Sequence, residues 1–403
     1  MRQLADRAHR ILGEGALDVL TESQQVESEG KRILHFEVGQ PDFQTPKHIK
    51  DTAKQAIDDN ITKYVAATGL SELKAAIQDE FEITRGYRPD TNQILIFPGV
   101  KPAIFLTMLA TCEKGDGVIY ADPGFPTYAS LSGFVGAEGA PIPLKIENEF
   151  RLDPEDVATR LNSNTKMIIL NSPHNPTGSV MNESELQQIA ELAEDYQCYI
   201  LSDEIYSKIV YGGQFHSISI HDEANEYSIV VDGFSKAYSM TGWRLGYLVG
   251  PSPLVEKLAT LMTNAFTCTV PFIQKAGEDA LRGEQSIIRS ALEDYQEKRD
   301  TMVNGLNKIP GVTCLTPQGA FYAWPRIVET GMSSGEIANG LLHTAGIACL
   351  PGTAFGEAGE GYLRFSYATS IDTIKDAMVK FKDFMEQTAL RDSASLSLNG
   401  SSQ

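Results

Sequence analysis

The composition of this chain of 403 residues excludes several classes of protein. Apolar residues make up 42% and charged residues 22%, which is ordinary globular usage and enough for two domains with sizeable cores. The formal net charge of −19 gives no sequence-wide attraction to nucleic acid or to anionic membranes. A small anionic ligand would therefore need a local site made of a few cations and backbone amides.

The cysteines and the N-terminal residues predict a protein of the reducing cytoplasm. The five cysteines are odd in number, widely spread and never in C-x-x-C spacing, so neither a disulfide framework nor a zinc site is indicated. The first 20 residues lack the unbroken apolar region of a signal peptide, and no later stretch reaches membrane-spanning length. We therefore expect a soluble cytoplasmic protein without a metal or a membrane partner.

Apolar runs that alternate with amphipathic stretches predict a mainly parallel sheet flanked by helices. An amphipathic stretch that begins at Ser71 precedes the sheet. The start of a second helix is indicated by Asn182 as N-cap and Glu185 three residues on. It separates the third and fourth of five predicted strands. Each strand is followed by polar or turn-forming residues. The strands are residues 94–97, 117–121, 166–170, 198–201 and 228–231.

The segment after residue 280 changes in character and predicts a second, smaller α+β domain. A charged helix around residues 289–298 begins it, and short strands separated by Gly and Pro follow. The expected α/β fold has four parts: an N-terminal segment that joins the small domain, a large domain, the small C-terminal domain and a Ser-rich disordered tail, at residues 1–45, 46–280, 281–390 and 391–403.

Chemically capable side chains follow the predicted strands, at the sheet edge where ligands bind in open α/β folds. Taken singly, each has a more ordinary interpretation, because lysines are mostly solvated, aspartates cap helices and asparagines form turns. Their occurrence at the ends of five consecutive strands favours a common ligand site instead. The side chains are those of Lys101, Phe125, Asn175, Asp203 and Lys236, with Arg244 eight residues beyond the last.

Longer motifs resemble those of the class I/II aminotransferases, which are fold type I enzymes that depend on pyridoxal 5'-phosphate (PLP). The resemblance covers roughly residues 35 to 385 and implies a transfer of the amino group of an L-amino acid to a 2-oxo acid by a ping-pong mechanism. The motifs, in family order, are VGQPDF, TKYVAATG, DPGFPTY, NSPHNPTG, SDEIYSKIVY, GFSKAYSMTGWRLGY and YLRFSYATS.

By this resemblance, three residues carry the chemistry. Lys236 is the Schiff-base lysine, whose amine is released by the incoming amino acid and then carries the α-proton. Asp203 faces the pyridine nitrogen, and its charge favours the pyridinium form that acts as an electron sink. Tyr206, together with Asn175, hydrogen-bonds the phenolic oxygen of the cofactor.

The resemblance also assigns residues to the binding of cofactor and substrate. Phe125 stacks on the pyridine ring. Arg364 binds the substrate α-carboxylate beside Gly39 and Asn175. Tyr64 of a neighbouring subunit is expected near the phosphate, which implies a homodimer with shared active sites. The other phosphate-binding residues are Val100, Lys101, Ser235 and Arg244.

Two departures from the family pattern appear. Many relatives have a serine three residues before the lysine, where this chain has Gly233, so Ser235 and Arg244 must provide more of the phosphate binding. The sequence GQPDF stands where GEPDF is frequent, and we expect this change to be tolerated.

Substrate specificity and rival functions stay open. Lys101 lies where aspartate-type and prephenate-type relatives keep a lysine for a distal carboxylate, so aspartate or glutamate is one hypothesis for the donor; the other is that Lys101 merely faces solvent. The same fold and cofactor also serve lyases and oxidases. A PLP-sensing regulatory domain is less favoured, since about 35 residues precede VGQPDF and carry no helix-turn-helix signal.

Overall fold

The computed structural model describes residues 3–13, 15–222 and 225–399, with 389–399 described for the backbone alone. Short 3₁₀ segments connect many of its elements. The strands in chain order are β1 (Leu34–His35), β2 (Ile94–Phe97), β3 (Gly117–Asp122), β4 (Glu138–Pro143), β5 (Thr165–Asn171), β6 (Tyr199–Asp203), β7 (Ser228–Gly233), β8 (Gly246–Val249), β9 (Tyr322–Ala323), β10 (Ile347–Ala348), β11 (Leu350–Pro351) and β12 (Leu363–Ser366).

The α-helices surround and follow the central strands. In chain order they are α1 (Gly15–Ser28), α2 (Lys47–Asp58), α3 (Ser71–Arg85), α4 (Val100–Thr111), α5 (Thr127–Val135), α6 (Pro154–Arg160), α7 (Glu183–Tyr196), α8 (Ser252–Phe266), α9 (Pro271–Arg282), α10 (Ser286–Leu306), α11 (Ser334–Gly340) and α12 (Ile371–Asn399).

A seven-stranded sheet forms the centre of the fold, in the spatial order β2-β8-β7-β6-β5-β3-β4. Strand β8 is antiparallel to both of its neighbours, and the other pairs within β7-β6-β5-β3-β4 are parallel. The five predicted strands correspond to β2, β3, β5, β6 and β7 and agree with them within two residues at each end. The prediction of a mainly parallel sheet flanked by helices is confirmed.

Two strands of the sheet, β4 and β8, were not predicted. Strand β4 has the sequence EGAPIP, and proline is tolerated in a sheet mainly at its edge, which is where β4 lies. Strand β8 has four residues and follows closely on a turn. Because β8 runs against the others, it begins at the edge where they end, and Arg244 just before it is therefore carried to that edge.

Both predicted helices of the large domain are present. In α7, Asn182 accepts a hydrogen bond from the backbone N–H of Glu185 at 2.9 Å, and the Glu185 carboxylate accepts one from the N–H of Asn182 at 3.0 Å. Helix α3 buries Leu73, Ile77 and Phe81 in the core that includes the β2 side chains. The spacing of apolar residues and the capping box therefore predict these helices correctly.

N-terminal residues pair with the C-terminal part of the chain. Strand β1 pairs in parallel with β10, and β9, β12 and β11 form an antiparallel sheet. Helices α10 and α12 pack together, with Tyr295, Met302, Ile374 and Phe381 buried in one core. The domain limits at 45, 280 and 390 stay predictions.

The predicted disordered tail from residue 391 differs from the structure. Helix α12 continues to Asn399, and residues 400–403 lie outside the described residues. The Ser-rich composition suggested disorder, but no Pro or Gly interrupts the chain between the core-packed start of α12 and residue 399. Once a helix has formed, each further residue adds a hydrogen bond without a new nucleation step, so the helix can extend.

Two further findings concern membrane-spanning helices and clusters of metal-binding side chains. Across the part of the chain that the structure describes, none of the helices combines the length and the apolar character that a membrane crossing requires. Among the same residues, no group of three or more His, Cys, Asp or Glu side chains is arranged to hold a metal ion.

A buried ion network ties α3 to the strand ends of the sheet. Arg85, at the last position of α3, donates 2.9 Å hydrogen bonds to the carboxylates of both Glu204 and Asp232. The hydroxyl of Ser217 also donates to Glu204 at 2.7 Å, and that of Ser207 donates to Asp232 at 3.0 Å. The Arg85 and Glu204 side chains are 1% exposed, so neither charge is compensated by bulk water.

We expect Arg85→Met to lower the free energy of unfolding by about 3–5 kcal/mol, because it leaves two buried carboxylates without their cation. Urea unfolding measures the change. Arg88→Met is the matched control, since Arg88 pairs with Asp79 and Glu82 at the surface with 42% of its side chain exposed, and solvent screens such pairs. Equal effects of the two substitutions would contradict this account of the network.

Candidate active site

A cavity of about 380 Å³ lies at the edge where the parallel strands end. It is lined by every residue that the sequence predicted for the site except Tyr64, which is 85% exposed and lies outside it. The predicted residues that the fold brings together are Gly39, Val100, Lys101, Phe125, Asn175, Asp203, Tyr206, Ser235, Lys236, Arg244 and Arg364.

Lys236 presents a weakly basic amine to this cavity. Its Nζ donates a hydrogen bond to the carbonyl oxygen of Gly39 at 2.6 Å. Burial, followed by the nearby positive charges of Arg364 and Lys101, lowers the pKa of Lys236 to about 8, and the charge of Asp203 opposes this change only in part. At pH 7 roughly a tenth of the amine is uncharged, which is the form that acts as a base or nucleophile.

Steric crowding explains why position 233 is a glycine. Strand β7 ends there against β8, and a Cβ added to Gly233 would lie 2.9 Å from the Cα of Gly246 and from the carbonyl oxygen of Leu245. A serine at this position would require the two strands to move apart. The backbone spacing therefore explains this departure from the family pattern.

Asp203 ends β6 and is buried at the base of the cavity. Its carboxylate accepts hydrogen bonds from the Tyr128 hydroxyl at 2.9 Å and from the backbone N–H of Ile205 at 3.3 Å. Burial raises the pKa of Asp203 to about 6 although these hydrogen bonds oppose the change. A cation placed beside this carboxylate would keep it ionised at neutral pH. Tyr128 is not among the site residues predicted from the sequence.

Arg364 is held in a fixed orientation by polar and aromatic neighbours. Its Nη1 donates to the side-chain oxygen of Asn175 at 3.1 Å, and its Nη2 donates to the carbonyl oxygen of Glu37. The guanidinium carbon lies 4.5 Å from the ring centre of Tyr322 and 4.9 Å from that of Phe355. Its Nε is buried and has no hydrogen-bond partner among the described residues, so a bound carboxylate would satisfy this donor.

A pair of phenols closes one side of the cavity. The hydroxyl oxygens of Tyr206 and Tyr322 are 2.6 Å apart, and burial raises the pKa of both groups. Both are therefore protonated at neutral pH. Sequence reasoning missed Tyr322, which lies in the two-residue strand β9 far from the predicted strand ends. The motif GAFYAW around it could have drawn attention, since aromatic residues cluster there without a helical or strand period.

One end of the cavity has the donors of an anion site. Gly99 has a φ of 100° and leads into Val100 and Lys101, whose backbone N–H groups lie in the first turn of α4, the end of a helix that favours anions. A Cβ on Gly99 would overlap the Arg244 guanidinium, so the glycine lets that side chain approach the helix start. Ser235 lies in the same cavity.

The aromatic contacts at this end involve Phe125. Its ring meets that of Tyr128 edge-to-face, with ring centres 5.6 Å apart. The Lys101 ammonium lies 5.1 Å from the centre of the Phe125 ring. The ring is thus fixed at one wall of the cavity, beside the residues that begin α4.

The donors and acceptors of the cavity fit PLP. The fit includes a buried carboxylate for a ring nitrogen, an amine for an aldehyde, a phenol for a ring oxygen and an N-terminal helix turn with an arginine for a phosphate. The unpartnered Arg364 Nε adds a donor for a second anion. The arrangement is that of a site for PLP together with a carboxylate-bearing substrate.

Comparisons with known proteins agree with this fit. The family described as Aminotransferase class I and II matches residues 31–381. The chain is 38% identical to the aspartate aminotransferase of Pyrococcus horikoshii over 88% of this chain and 91% of that protein. It is 37% identical to the aromatic-amino-acid aminotransferase 2 of Thermococcus litoralis over 89% and 93%. The solved aspartate aminotransferase from Thermus thermophilus with maleate has a TM-score of 0.91 at 31% identity, over 95% of this chain and all of that one (100%).

The chain belongs to the class I and II aminotransferases. It is accordingly a PLP-dependent enzyme that transfers amino groups, and the fold, activity and cofactor predicted from the sequence are confirmed. The alternatives, a lyase, an oxidase or a PLP-sensing regulatory domain, are not favoured by these relatives.

Proposed function

We propose that the protein transfers the amino group of an acidic L-amino acid, aspartate or glutamate, to a 2-oxo acid by a ping-pong mechanism. One observation carries the proposal: the amine of Lys236, the carboxylate of Asp203 and the guanidinium of Arg364 line the same cavity. PLP bound to Lys236 as a Schiff base would supply an electron sink for the charge that remains when the α-proton leaves.

Lys236 is proposed as the base that removes this proton. Its depressed pKa provides an uncharged amine, and the Gly39 carbonyl oxygen orients that amine through a 2.6 Å hydrogen bond. A base whose pKa lies close to neutral pH can both accept and return a proton, as a reversible amine transfer requires.

Asp203 is proposed to hold a positive charge on the ring nitrogen. The carboxylate is buried and oriented by Tyr128, so its charge is little screened by solvent. Tyr206 and Asn175 are proposed to donate hydrogen bonds to the ring oxygen, and Phe125 to stack on the ring. These residues come from different strand ends, which support their relative positions.

Arg364 is proposed to bind the substrate α-carboxylate. Its hydrogen bonds to Asn175 and to the Glu37 carbonyl fix the plane of the guanidinium, so the substrate Cα–H bond is held in one orientation. Gly39 lets the Tyr322 hydroxyl lie against the backbone beside this clamp, because a Cβ there would overlap that hydroxyl. At the other end, Ser235, Arg244 and the start of α4 are proposed to bind the phosphate.

The preference for an acidic donor is proposed from the charges in the cavity. Lys101, Arg244 and Arg364 line it in a protein whose net charge is −19, so positive charge is concentrated where the substrate binds. A substrate with two carboxylates can pair with Arg364 at one end and with Lys101 at the other. The relatives named above for aspartate, one with maleate, support the same class of substrate.

We expect Lys101→Ala to lower kcat/KM for aspartate by about 10- to 100-fold, the usual loss for one charged hydrogen bond, and to change that for alanine much less. Initial rates with aspartate, glutamate, alanine, arginine and aromatic donors measure this preference. Lys101→Arg, which keeps the charge, is the control. An equal loss for aspartate and alanine would reject the role of Lys101 in side-chain recognition.

A homodimer with shared active sites is proposed from the position of Tyr64, whose hydroxyl would bind the phosphate in a second copy of the chain. Its 85% exposure in the single chain leaves it available for that contact. We expect Lys236→Ala and Tyr64→Ala proteins to regain activity when they are refolded as a mixture, since one site of each mixed dimer is then complete. If Tyr64 acts within its own chain, the mixture will stay at the level of Tyr64→Ala.

A cytoplasmic location is proposed as well. All five cysteines belong to the described chain and are free thiols, four of them buried. Reduced thiols are typical of cytoplasmic proteins. Fractionation of the source cells, followed by an activity assay, tests this location, and activity outside the cytoplasmic fraction would reject it.

A further inference from the structure

Tyr322 lies in the cavity between residues proposed for the cofactor and residues proposed for the substrate. It is 1% exposed and begins β9, which pairs with β12 through Ser366, two residues after Arg364. Its ring packs against Phe321 and Tyr206, with ring centres 5.0 Å and 5.7 Å away. The side chain is thus fixed by strand pairing and by aromatic packing.

The Tyr322 hydroxyl is placed to complete the hydrogen bonding of Tyr206. Each phenol has one proton, so a Tyr206 hydroxyl that donates to the cofactor ring oxygen must accept from its other neighbour. The Tyr322 oxygen lies 2.6 Å away and can donate there. Hydrogen bonds in such a chain polarise one another, so a donor behind Tyr206 strengthens the hydrogen bond that Tyr206 makes.

The Tyr322 ring also supports the carboxylate clamp. The Arg364 guanidinium carbon lies 4.5 Å from the centre of this ring, within the range of a cation–π contact. On the opposite side, the hydroxyl occupies the space that a Cβ at Gly39 would take. Gly39 is the residue whose carbonyl accepts the hydrogen bond of Lys236. The Tyr322 side chain therefore contacts both Tyr206, which is proposed to bind the cofactor, and Arg364, which is proposed to bind the substrate.

We propose that Tyr322 is a positioning residue with two separable parts: its hydroxyl donates to Tyr206 and so tunes the cofactor, while its ring holds Arg364 in place for the substrate carboxylate. The inference rests on the proposed roles of Tyr206 and Arg364. The charged groups that face the pair are Arg364 from β12, Asp203 from β6 and Lys236 after β7.

The two parts are tested by Tyr322→Phe and Tyr322→Leu in the PLP-loaded enzyme. We expect Tyr322→Phe to raise the pH midpoint of the cofactor's visible absorbance by about half a unit and to lower kcat by about three- to tenfold, as for the loss of one hydrogen bond. KM for the amino acid should stay unchanged, because the ring remains. Tyr322→Leu should in addition raise KM by about tenfold, because Arg364 loses its aromatic support.

A double-mutant cycle with Tyr206→Phe gives the decisive result. If Tyr322 acts through Tyr206, its phenylalanine substitution should shift the absorbance midpoint in the wild-type background and leave it unchanged in Tyr206→Phe. Equal shifts in both backgrounds, an unchanged midpoint in the wild-type background, or a raised KM for Tyr322→Phe overturns the inference.

The same cycle separates this inference from the proposed function. A midpoint that does not respond to Tyr206→Phe alone contradicts the proposed role of Tyr206 and removes the inference with it. Normal amine transfer by the wild-type enzyme, a clear effect of Tyr206→Phe and no effect of Tyr322→Phe would leave the proposed function intact and reject only the role of Tyr322.

Discussion

Lys236→Ala is expected to lower kcat for amine transfer by at least about 10⁴-fold, because it removes both the proposed attachment point of PLP and the proposed base for the α-proton. Steady-state rates with aspartate and 2-oxoglutarate measure the loss. PLP should still bind, though more weakly, because the phosphate site and the stacking ring do not depend on the lysine.

The matched control is Lys114→Ala, which removes an exposed lysine outside the cavity and should leave kcat unchanged. A Lys236→Ala protein that keeps a tenth or more of the wild-type kcat would contradict the role of this residue. The wild-type absorbance spectrum should also change on addition of an amino acid, whereas that of Lys236→Ala with free PLP should do so far more slowly.

Asp203→Asn is expected to lower kcat by about 10²- to 10⁴-fold, because the neutral amide no longer stabilises a positive charge on the ring nitrogen. Rates at saturating aspartate measure this change. Asp203→Glu, which keeps the charge at a slightly different position, should lose less activity. Similar losses for the asparagine and glutamate variants would show that shape rather than charge is required at position 203.

The same substitution should act in the opposite direction on the stability of the cofactor-free protein. Burial raises the pKa of Asp203 from 3.8 to about 6, so its favourable contribution is present below pH 3.8 and is lost as the pH rises through 6. At pH 7 the ionised carboxylate therefore costs up to roughly 3 kcal/mol, and a neutral amide at this position avoids that cost. Urea unfolding without PLP should show Asp203→Asn to be more stable than wild type at pH 7, and the difference should shrink at pH 5.

These opposite expectations express a compromise between stability and catalysis. Without PLP, the buried charge of Asp203 destabilises the protein, and the ring nitrogen of bound PLP is proposed to supply the compensating cation. If Asp203→Asn lowers both kcat and the stability of the cofactor-free protein, the residue is a structural hydrogen-bonding group, and its proposed electrostatic role is wrong.

The fold was predictable where local signals agree with the tertiary structure. The five predicted strands are apolar runs bounded by turn residues, and α7 has its capping box in the sequence. Strand β4 could not be predicted, because its two prolines argue against a strand unless its edge position is known. The extent of α12 was missed because composition alone does not reveal that a helix already anchored in the core continues.

The candidate site was predictable in part from topology. Asn175, Asp203 and Lys236 follow parallel strands, and such strands end at one edge of a sheet. Arg364 lies in β12 and Gly39 in the loop after β1, so family resemblance alone assigned them. Tyr322 had neither signal, because β9 comes about 90 residues after β7 and reaches the cavity only through its pairing with β12. The pairing of short strands that lie far apart in the sequence cannot be recognised from the local periodicity of apolar residues.

The most direct test of the account is chemical trapping of the cofactor. The purified protein is incubated with PLP, reduced with borohydride and digested, and the peptides are mapped by mass. The account predicts a pyridoxyl adduct on Lys236, and its disappearance when the protein is reduced after exposure to an excess of aspartate without a 2-oxo acid. An adduct confined to another lysine, or no adduct at all, would contradict the central claim that Lys236 binds PLP.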